Sequence, residues 1–406
     1  MMTSGQAPSS RTRGAAGVLR LAVLLAVAIV ASCGGGVDSG GTGAPATSFA
    51  SGAITGFGSV IVERVHFDDS TAAVSDADGN LRSRSDLRLG MTAAVRGSAI
   101  GVDASGNDVS TATSIVFGSE ILGPLAANDL AARTLSVLGQ TVDIATTTVF
   151  DDSLGGGQAA LEVGDVVEIY AHFDPATGHH EATRVERKGG VAAFALRGIV
   201  AALDPATRTF AIGATRISYA GTPAANVPAT LANGVFVRVT LAVAPVGGVW
   251  NALRVGDGAP AVDNRDDARI KGLVSSLVSS TSFSVNGIPV DARTAQFPNG
   301  SAGLALGQRV EVEGSTVSGV LVARTVTLVS DSDEGGTSFE ARGAISALDS
   351  VAQTFVVHDV VVSYAGTVDF RDGSAADLAI GRQVRARGTL SSDGTRLQAQ
   401  RIEFEH

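Results

Sequence analysis

The sequence predicts an all-β protein whose main part is a tandem array of five small domains. Four short sequence marks recur in the same order at a spacing of about 70 to 75 residues. Within each copy, apolar and polar residues alternate, as in Val310-Glu311-Val312-Glu313, which is typical of strands with one buried face. The composition includes 50 glycines, only 5% aromatic residues and 17% charged residues, which favours many short strands joined by turns.

Two of the four marks contain a glycine at a fixed place. The first mark is a glycine followed two positions later by an aliphatic residue, and it occurs as Gly52/Ile54, Gly123/Leu125, Gly198/Val200, Gly272/Val274 and Gly343/Ile345. The third mark is a leucine followed three positions later by a glycine and then by alternating apolar positions. It occurs as Leu87-Gly90, Leu161-Gly164, Leu231-Gly234, Leu304-Gly307 and Leu378-Gly381.

The other two marks are strand patterns. The second resembles Phe210-x-Ile212 and lies about a dozen residues after the first mark, and the fourth is Ala-x-x-(Val/Ile), as in Ala182/Val185. A further strand lies between the second and third marks, as at Thr215 to Tyr219. Each copy is therefore predicted to contain five short strands.

A unit of about 65 residues with five strands matches a small OB-like barrel. The glycine of the first mark would allow a bend in the first strand, and a loop or single helical turn would join strands three and four. Closure of a barrel also removes exposed strand edges, which favours solubility. A β-sandwich built from paired repeats is the alternative architecture.

The repeats and the clusters of Asp, Gly and Ser between them predict the domain boundaries. These are a leader at 1–32, a flexible tether at 33–48, repeats at 49–119, 120–190, 191–258, 269–329 and 339–406, and linkers at 259–268 and 330–338.

Residues 1–32 have the pattern of an export signal. Three arginines, Arg11, Arg13 and Arg20, precede an apolar run at 21–30. This run is shorter than the about 20 apolar residues that a transmembrane helix needs, but it suits the hydrophobic region of a signal peptide.

Cys33 is the only cysteine and directly follows this leader. The segment Val30-Ala31-Ser32-Cys33 resembles the bacterial lipobox, in which the cysteine thiol receives a diacylglycerol. We therefore expect lipidation of Cys33 and anchoring in a membrane through the attached chains; a plain secretory signal is the alternative. Gly34 stands where an aspartate would resemble an inner-membrane retention signal. The sequence thus favours an outer-membrane lipoprotein that faces the periplasm or the cell surface.

The start of the first repeat carries a family resemblance. Residues 51–62, SGAITGFGSVIV, with Phe67 soon after, resemble the start of the domain-of-unknown-function 5666 (DUF5666) repeats of bacterial lipoproteins. The resemblance extends from about residue 49 to the end of the chain. It supports the fold, but the family has no established activity and therefore implies no catalytic residues.

Few residues are candidates for a functional site. His172, His179 and His180 flank one hairpin of the second repeat and are weak candidates for metal binding; exposed hairpin histidines are the favoured interpretation. Trp250 and Tyr170 are the aromatic residues that we consider for ligand binding. We expect no catalytic site and no cofactor.

The charge of the chain restricts its partners. The formal net charge is −10, and removal of residues 1–32, which contain three arginines and no acidic residue, lowers it to −13. Such a chain repels phosphate backbones, so we expect no nucleic-acid partner. The predicted function is a non-enzymatic envelope lipoprotein that acts as a multi-domain scaffold for a protein or glycan. Binding of a small molecule or polysaccharide is the alternative.

Overall fold

The computed structural model describes residues 46–330 and 338–405, and these residues form mainly β-strands. The predicted leader, the lipidation site Cys33 and the tether up to residue 45 lie outside the described residues, as do residues 331–337 of the second predicted linker. In the described part of the chain, no helix has the length and apolar character needed to cross a membrane.

The strands fall into five successive groups, which we call barrels 1 to 5. Barrel 1 contains β1 (Thr47–Phe57), β2 (Val60–Val62), β3 (Val65–Asp68), β4 (Ala73–Asp76), β5 (Leu81–Arg82), β6 (Thr92–Ser98), β7 (Gly101–Val102) and β8 (Asp108–Phe117). Barrel 2 contains β9 (Ile121–Asp129), β10 (Thr134–Val137), β11 (Gln140–Phe150), β12 (Val166–Asp174) and β13 (His179–Lys188). Barrel 3 contains β14 (Phe194–Ile199), β15 (Ala201–Asp204), β16 (Thr209–Ile212), β17 (Thr215–Ser218), β18 (Phe236–Leu241) and β19 (Trp250–Asp257). Barrel 4 contains β20 (Arg265–Ser279), β21 (Ser282–Val285), β22 (Ile288–Asp291), β23 (Arg309–Val317) and β24 (Val320–Leu328). Barrel 5 contains β25 (Phe339–Ala344), β26 (Ala347–Asp349), β27 (Thr354–Val357), β28 (Val360–Ser363), β29 (Asp369–Arg371), β30 (Gln383–Leu390) and β31 (Leu397–Phe404).

All five barrels have the same closed strand order. In barrel 2, β9 pairs with β10 and β10 with β11 in antiparallel fashion, β11 pairs with β13 in parallel, and β12 pairs with both β13 and β9 in antiparallel fashion. The order of strand positions is therefore 1-2-3-5-4-1. The same order closes barrels 1, 3, 4 and 5. This is an OB-like barrel. The predicted fold class is confirmed, and the sandwich alternative is wrong.

A pair of backbone hydrogen bonds connects the first and third sequence marks in every barrel. The amide of the third-mark glycine donates to the carbonyl of the first-mark aliphatic residue: Gly90 to Ile54 (2.8 Å), Gly164 to Leu125 (2.9 Å), Gly234 to Val200 (2.8 Å), Gly307 to Val274 (3.0 Å) and Gly381 to Ile345 (2.8 Å). The amide of each aliphatic residue donates in return to the carbonyl of the residue after that glycine, at 2.8–2.9 Å. The five glycines have φ between +74° and +98°, a conformation that disfavours residues with a Cβ.

The first-mark glycine is required by a close approach. A Cβ on Gly198 would lie 2.3 Å from the Cγ2 of Ile212, and a Cβ on Gly123 would lie 2.5 Å from the Cγ of Leu138. The corresponding neighbours in barrels 1, 4 and 5 are Glu63, Asn286 and His358. In each barrel, therefore, a side chain from the end of strand two or from the turn after it passes over the first strand at the glycine.

The predicted helical turn between strands three and four is present in four of the barrels. It is a short 3-10 helix at Arg84–Asp86, Gly157–Ala160, Ala224–Asn226 and Ala375–Asp377. Three of these helices end directly before the leucine of the third mark, so the helix leads the chain into the hydrogen-bonded glycine.

The barrels are joined by strand pairing between their first strands. Residues Ser48 to Ser51 of β1 pair in parallel with Asp267 to Ile270 of β20, and Gly56 and Phe57 of β1 pair in parallel with Glu340 and Ala341 of β25. Barrels 2 and 3 are joined by antiparallel pairing of β9 with β14. The first strand of barrel 1 therefore extends the sheets of two other barrels.

This pairing moves two of the predicted boundaries. Strand β20 begins at Arg265, inside the linker predicted at 259–268, and β1 begins at Thr47, inside the predicted tether. The backbone amide of Thr47 donates to Asp266 Oδ2 at 2.8 Å. Turn-like composition predicted a linker here, but pairing with a distant strand imposes an extended conformation.

The hydrophobic cores are shared in the same way. One buried cluster is formed by barrels 1 and 5 together with Val149 and Tyr170 of barrel 2, a second by barrels 2 and 3, and a third by barrel 4 with Phe49 and Ala94 of barrel 1. The described residues accordingly belong to one compact unit. The repeats are therefore not independent domains on flexible linkers.

We expect Gly198→Ala to lower the free energy of unfolding by about 1–3 kcal/mol, because the new methyl group overlaps the buried Ile212 side chain. Urea denaturation followed by circular dichroism measures this loss. Gly221→Ala in the same barrel is the matched control, because a Cβ there meets no atom within 4 Å. Equal stability of the two variants would contradict the packing role of the first-mark glycine.

Candidate functional site

The two aromatic candidates pack against hydrophobic cores, Tyr170 fully buried and Trp250 partly buried. Trp250 begins β19, and its ring lies 5.8 Å from that of Phe194, against the core shared by barrels 2 and 3. Tyr170 is 2% exposed, and this burial raises the pKa of its phenol well above the ordinary value. The Tyr170 ring is therefore not available as a flat platform of the kind that a polysaccharide stacks on.

The three histidines of barrel 2 do not converge. In the β12–β13 hairpin, His172 lies opposite Glu181, His180 opposite Phe173 and His179 opposite Asp174. Because successive side chains alternate between faces, His172 and His179 share one face and His180 points to the other. Nowhere in residues 46–330 and 338–405 do three or more His, Cys, Asp or Glu residues form a group that could hold a metal ion.

Two of these histidines are buried, contrary to the expectation of exposed hairpin residues. His180 is 0% exposed and His172 is 7% exposed, whereas His179 is partly exposed and lies 3.0 Å from Asp143 through Nδ1. Burial lowers the pKa of both His172 and His180 to about 3. Both rings are therefore neutral at pH 7. The hairpin looked exposed from its sequence, but packing against barrel 4 covers the His172 side.

The neutral buried histidines predict a loss of stability in mild acid. Below pH 6.5 the unfolded chain binds protons on these rings, whereas the folded chain remains neutral until about pH 3. For each histidine, we expect the free energy of unfolding to fall by about 2 kcal/mol between pH 7.5 and pH 5. Urea titrations at several pH values measure this slope.

His180→Phe tests the assignment, because the variant keeps a large side chain in the barrel and removes the titrating ring. Its free energy of unfolding should fall less between pH 7.5 and pH 5 than that of the wild type. Carboxylates with lowered pKa values, such as Asp78 and Asp151, lose their contribution only at lower pH. Parallel curves for variant and wild type would contradict the prediction.

Three cavities lie where the barrels meet. The first has a volume of about 450 Å³ and is lined by residues of barrels 1 to 4 and the segment 258–261. The second, of about 500 Å³, is lined by barrels 1, 2, 4 and 5, and the third, of about 670 Å³, by barrels 1 to 3. His172 lines the first and second cavities. All three cavities exist only because the barrels pack together. We call the first cavity, of about 450 Å³, the junction cavity.

Ion pairs join the barrels around these cavities. Arg238 of barrel 3 forms a two-pronged contact with Asp78 of barrel 1 at 2.9 and 3.0 Å and donates to the carbonyl of Ser119 at 2.6 Å. The Arg238 guanidinium thereby lowers the pKa of Asp78. Similar contacts are Arg197–Glu120 (2.7 Å), Arg309–Glu181 (2.5 Å), Arg64–Glu311 (2.7 Å) and Arg269–Asp108 (2.6 Å).

The residues of the junction cavity could not be identified from the sequence. Glu120 lies just before β9, and Arg197 lies inside β14, both in patterns typical of strands with one wet face. The alternation predicts that such side chains leave the barrel core. It does not predict that another barrel covers them.

We expect Arg238→Met to lower the free energy of unfolding by about 2 to 4 kcal/mol, because it leaves the Asp78 carboxylate and the Ser119 carbonyl without their partner at a buried junction. Denaturant midpoints measure the effect. Arg293→Met is the matched control, since Arg293 pairs with Asp291 on an exposed surface of barrel 4. A similar small loss in both variants would show that the inter-barrel pair does not stabilise the assembly.

The fold and its junctions define a protein of tandem OB-like barrels, and comparison with known proteins agrees with the predicted family resemblance. Residues 123–186, 271–327 and 342–403 match the family described as "Domain of unknown function (DUF5666)". These segments correspond to barrels 2, 4 and 5. The resemblance is thus confirmed for three of the repeats, and barrels 1 and 3 share their strand order.

The other comparisons add little about function. No curated protein matches the chain. Among solved structures, a Drosophila protein described as "drosophila Unr CSD456" is similar at 13% identity and a TM-score of 0.13, over 52% of this chain and 97% of the other.

Proposed function

We propose that the protein is a non-enzymatic cell-envelope lipoprotein in which five fused barrels act as a scaffold for an envelope protein or glycan. The observation that carries this proposal is the way barrel 1 is connected. Its first strand pairs with barrels 4 and 5, and Asp78 is bound by barrel 3. A tether that joins barrel 1 at residue 46 would therefore hold all five barrels, not a single flexibly linked barrel.

The proposed membrane attachment depends on Cys33. Acyl chains on this thiol would anchor the body in the outer membrane, and the net charge of −13 without the leader argues against a nucleic-acid partner. The absence of a predicted catalytic motif supports a binding role rather than an enzymatic one. The exposed apolar side chains at hairpin tips, such as Val351 and Leu81, are suitable first positions for mapping a partner.

We expect Cys33→Ser to move the protein from the membrane fraction to the soluble fraction of the envelope, because the variant cannot receive the lipid. Fractionation of cells that express the tagged full chain measures the distribution. Ser32→Thr, which leaves the thiol in place, is the control for changes near the cleavage site. Unchanged membrane association of Cys33→Ser would contradict the lipoprotein part of the proposal.

The scaffold part is tested by site-specific photo-crosslinking in cells. A photoreactive residue is placed singly at exposed apolar positions of barrels 1, 2 and 5, namely Leu81, Val102, Leu130, Val163, Val351 and Ile380. Capture of the same envelope protein or glycan from positions on one barrel would support the scaffold. The absence of any adduct from all six positions in membrane-anchored protein would contradict it. Deletion of a barrel is unsuitable because the barrels share cores.

A second candidate function is binding of a small molecule or saccharide. The observation that favours it is the set of cavities at the barrel junctions, whose volumes lie within the range of about 300–1,000 Å³ that is common for ligand sites. This binding role is compatible with the scaffold and does not require the lipid anchor.

A further inference from the structure

The junction cavity is electrically balanced. Its charged lining residues are Arg96, Arg197, Glu120 and Asp257, two of each sign. Arg96 also contacts Asp263 at 3.1 Å and the carbonyl of Ala261 at 2.6 Å. An anionic or cationic ligand would lack a compensating charge here, so the lining favours a neutral ligand.

A buried charged pair forms one wall of the cavity. Arg197 Nη1 lies 2.7 Å from Glu120 Oε1, and Glu120 is only 6% exposed. The second carboxylate oxygen of Glu120 and the Nε of Arg197 have no hydrogen-bond partner in the described chain. The wall of the cavity thus contains one acceptor and one donor without partners. A ligand hydroxyl group can satisfy either of them, because a hydroxyl can donate and accept.

His172 provides a third polar group of the cavity. Its imidazole is largely buried, lines the cavity, and has no hydrogen-bond partner among residues 46–330 and 338–405. A neutral imidazole offers one donor and one acceptor. Burying such a ring without a partner costs free energy, and a bound hydroxyl would remove that cost. Among the three histidines singled out in the sequence, His172 is the one that faces a cavity.

The remaining lining suits a ligand with apolar faces and polar edges. Phe236, which is partly exposed, lines the cavity together with the hydroxyl side chains Ser51, Thr92, Ser275, Ser276 and Ser284. Phe117 and Phe173 also border it, but Phe117 belongs to the core of its barrel and the Phe173 ring lies against that of His180. Aromatic rings pack against the C–H faces of a sugar ring, and hydroxyl groups bind its edges. Ser276 and Asp257 are exposed to solvent, so the cavity is open on that side.

We propose that the junction cavity binds a neutral saccharide of one or two rings. In this site Glu120 and Arg197 each bind a hydroxyl group, His172 binds a third, and Phe236 contacts a ring face. The proposal deepens the second candidate function and is independent of the lipid anchor and of the scaffold, so its failure would leave those untouched.

Isothermal titration calorimetry of the purified full chain tests the proposal. The probes are glucose, galactose, N-acetylglucosamine, maltose and cellobiose, with glucuronate as a charged comparison. We expect saturable binding of at least one neutral sugar at one site per chain and weaker binding of glucuronate. Failure of all five neutral sugars to bind at millimolar concentration, or tighter binding of glucuronate, would overturn the proposal.

Variants locate the site. His172→Phe and Glu120→Gln should each weaken binding about tenfold, which corresponds to about 1.4 kcal/mol. His172→Gln keeps a donor and an acceptor and should retain most of the affinity. His179→Phe, on the same face of the hairpin but absent from the cavity lining, is the control and should bind normally. Unchanged affinity in both His172→Phe and Glu120→Gln would place the sugar elsewhere and overturn the assignment.

A surface variant keeps the test independent of the buried residues. Ser276→Trp puts a large ring at the exposed side of the cavity and should block sugar binding without disturbing the charged pair. Ser279→Trp, also exposed on β20 but not part of the cavity lining, is the matched control and should leave binding unchanged. Equal affinities of these two variants would contradict binding in the junction cavity.

Discussion

The paired backbone hydrogen bonds between the first strand and the glycine before the fourth strand organise every barrel of this protein. They hold the bend of the first strand against the start of the fourth, which sets the register in which the barrel closes. The aliphatic residue in this pair is buried in each copy, so the same residue also contributes to the core. The left-handed conformation of the glycine explains why this position recurs as glycine while the rest of the repeat varies.

The barrels are fused because the ends of their first strands pair with one another. A small barrel of this size buries little apolar area and gains by sharing its surface with neighbours. In this chain, β1 extends beyond its own barrel and adds to two others, and the cores of barrels 1 and 5 become continuous. Ion pairs such as Arg238–Asp78 then satisfy the polar groups that this packing removes from water.

Polar side chains at the barrel junctions can bind a ligand. A junction that is only apolar would close on itself, whereas charged and hydroxyl side chains on the outer faces of several barrels keep space between them. The junction cavity brings together Glu120 and His172 of the second repeat and Arg197 of the third. The proposed saccharide site and the proposed scaffold would therefore be two uses of the same packing, one at a barrel junction and one on the surface.

Much of the repeat architecture was determined by the sequence alone. Each sequence mark reflects a local requirement: a close approach at Gly198, a buried strand residue at Val200 and a positive φ at Gly234. Such requirements can be recognised within a single segment of the chain. They predicted the number of copies, the strands and the helical turn. The export signal and Cys33 are likewise local patterns, and they remain predictions because they lie outside the described residues.

Only the tertiary structure decided how the copies meet. Two-residue alternation shows that His172 and Arg197 lie on strands and that Glu120 directly precedes one, but it cannot show whether water or another barrel covers their outer faces. Residues 265–268 of the predicted linker at 259–268 became part of a strand because β1 offers them a partner more than 200 residues away in sequence. Contacts between distant segments depend on the packing of whole barrels, and no short stretch of sequence carries that information.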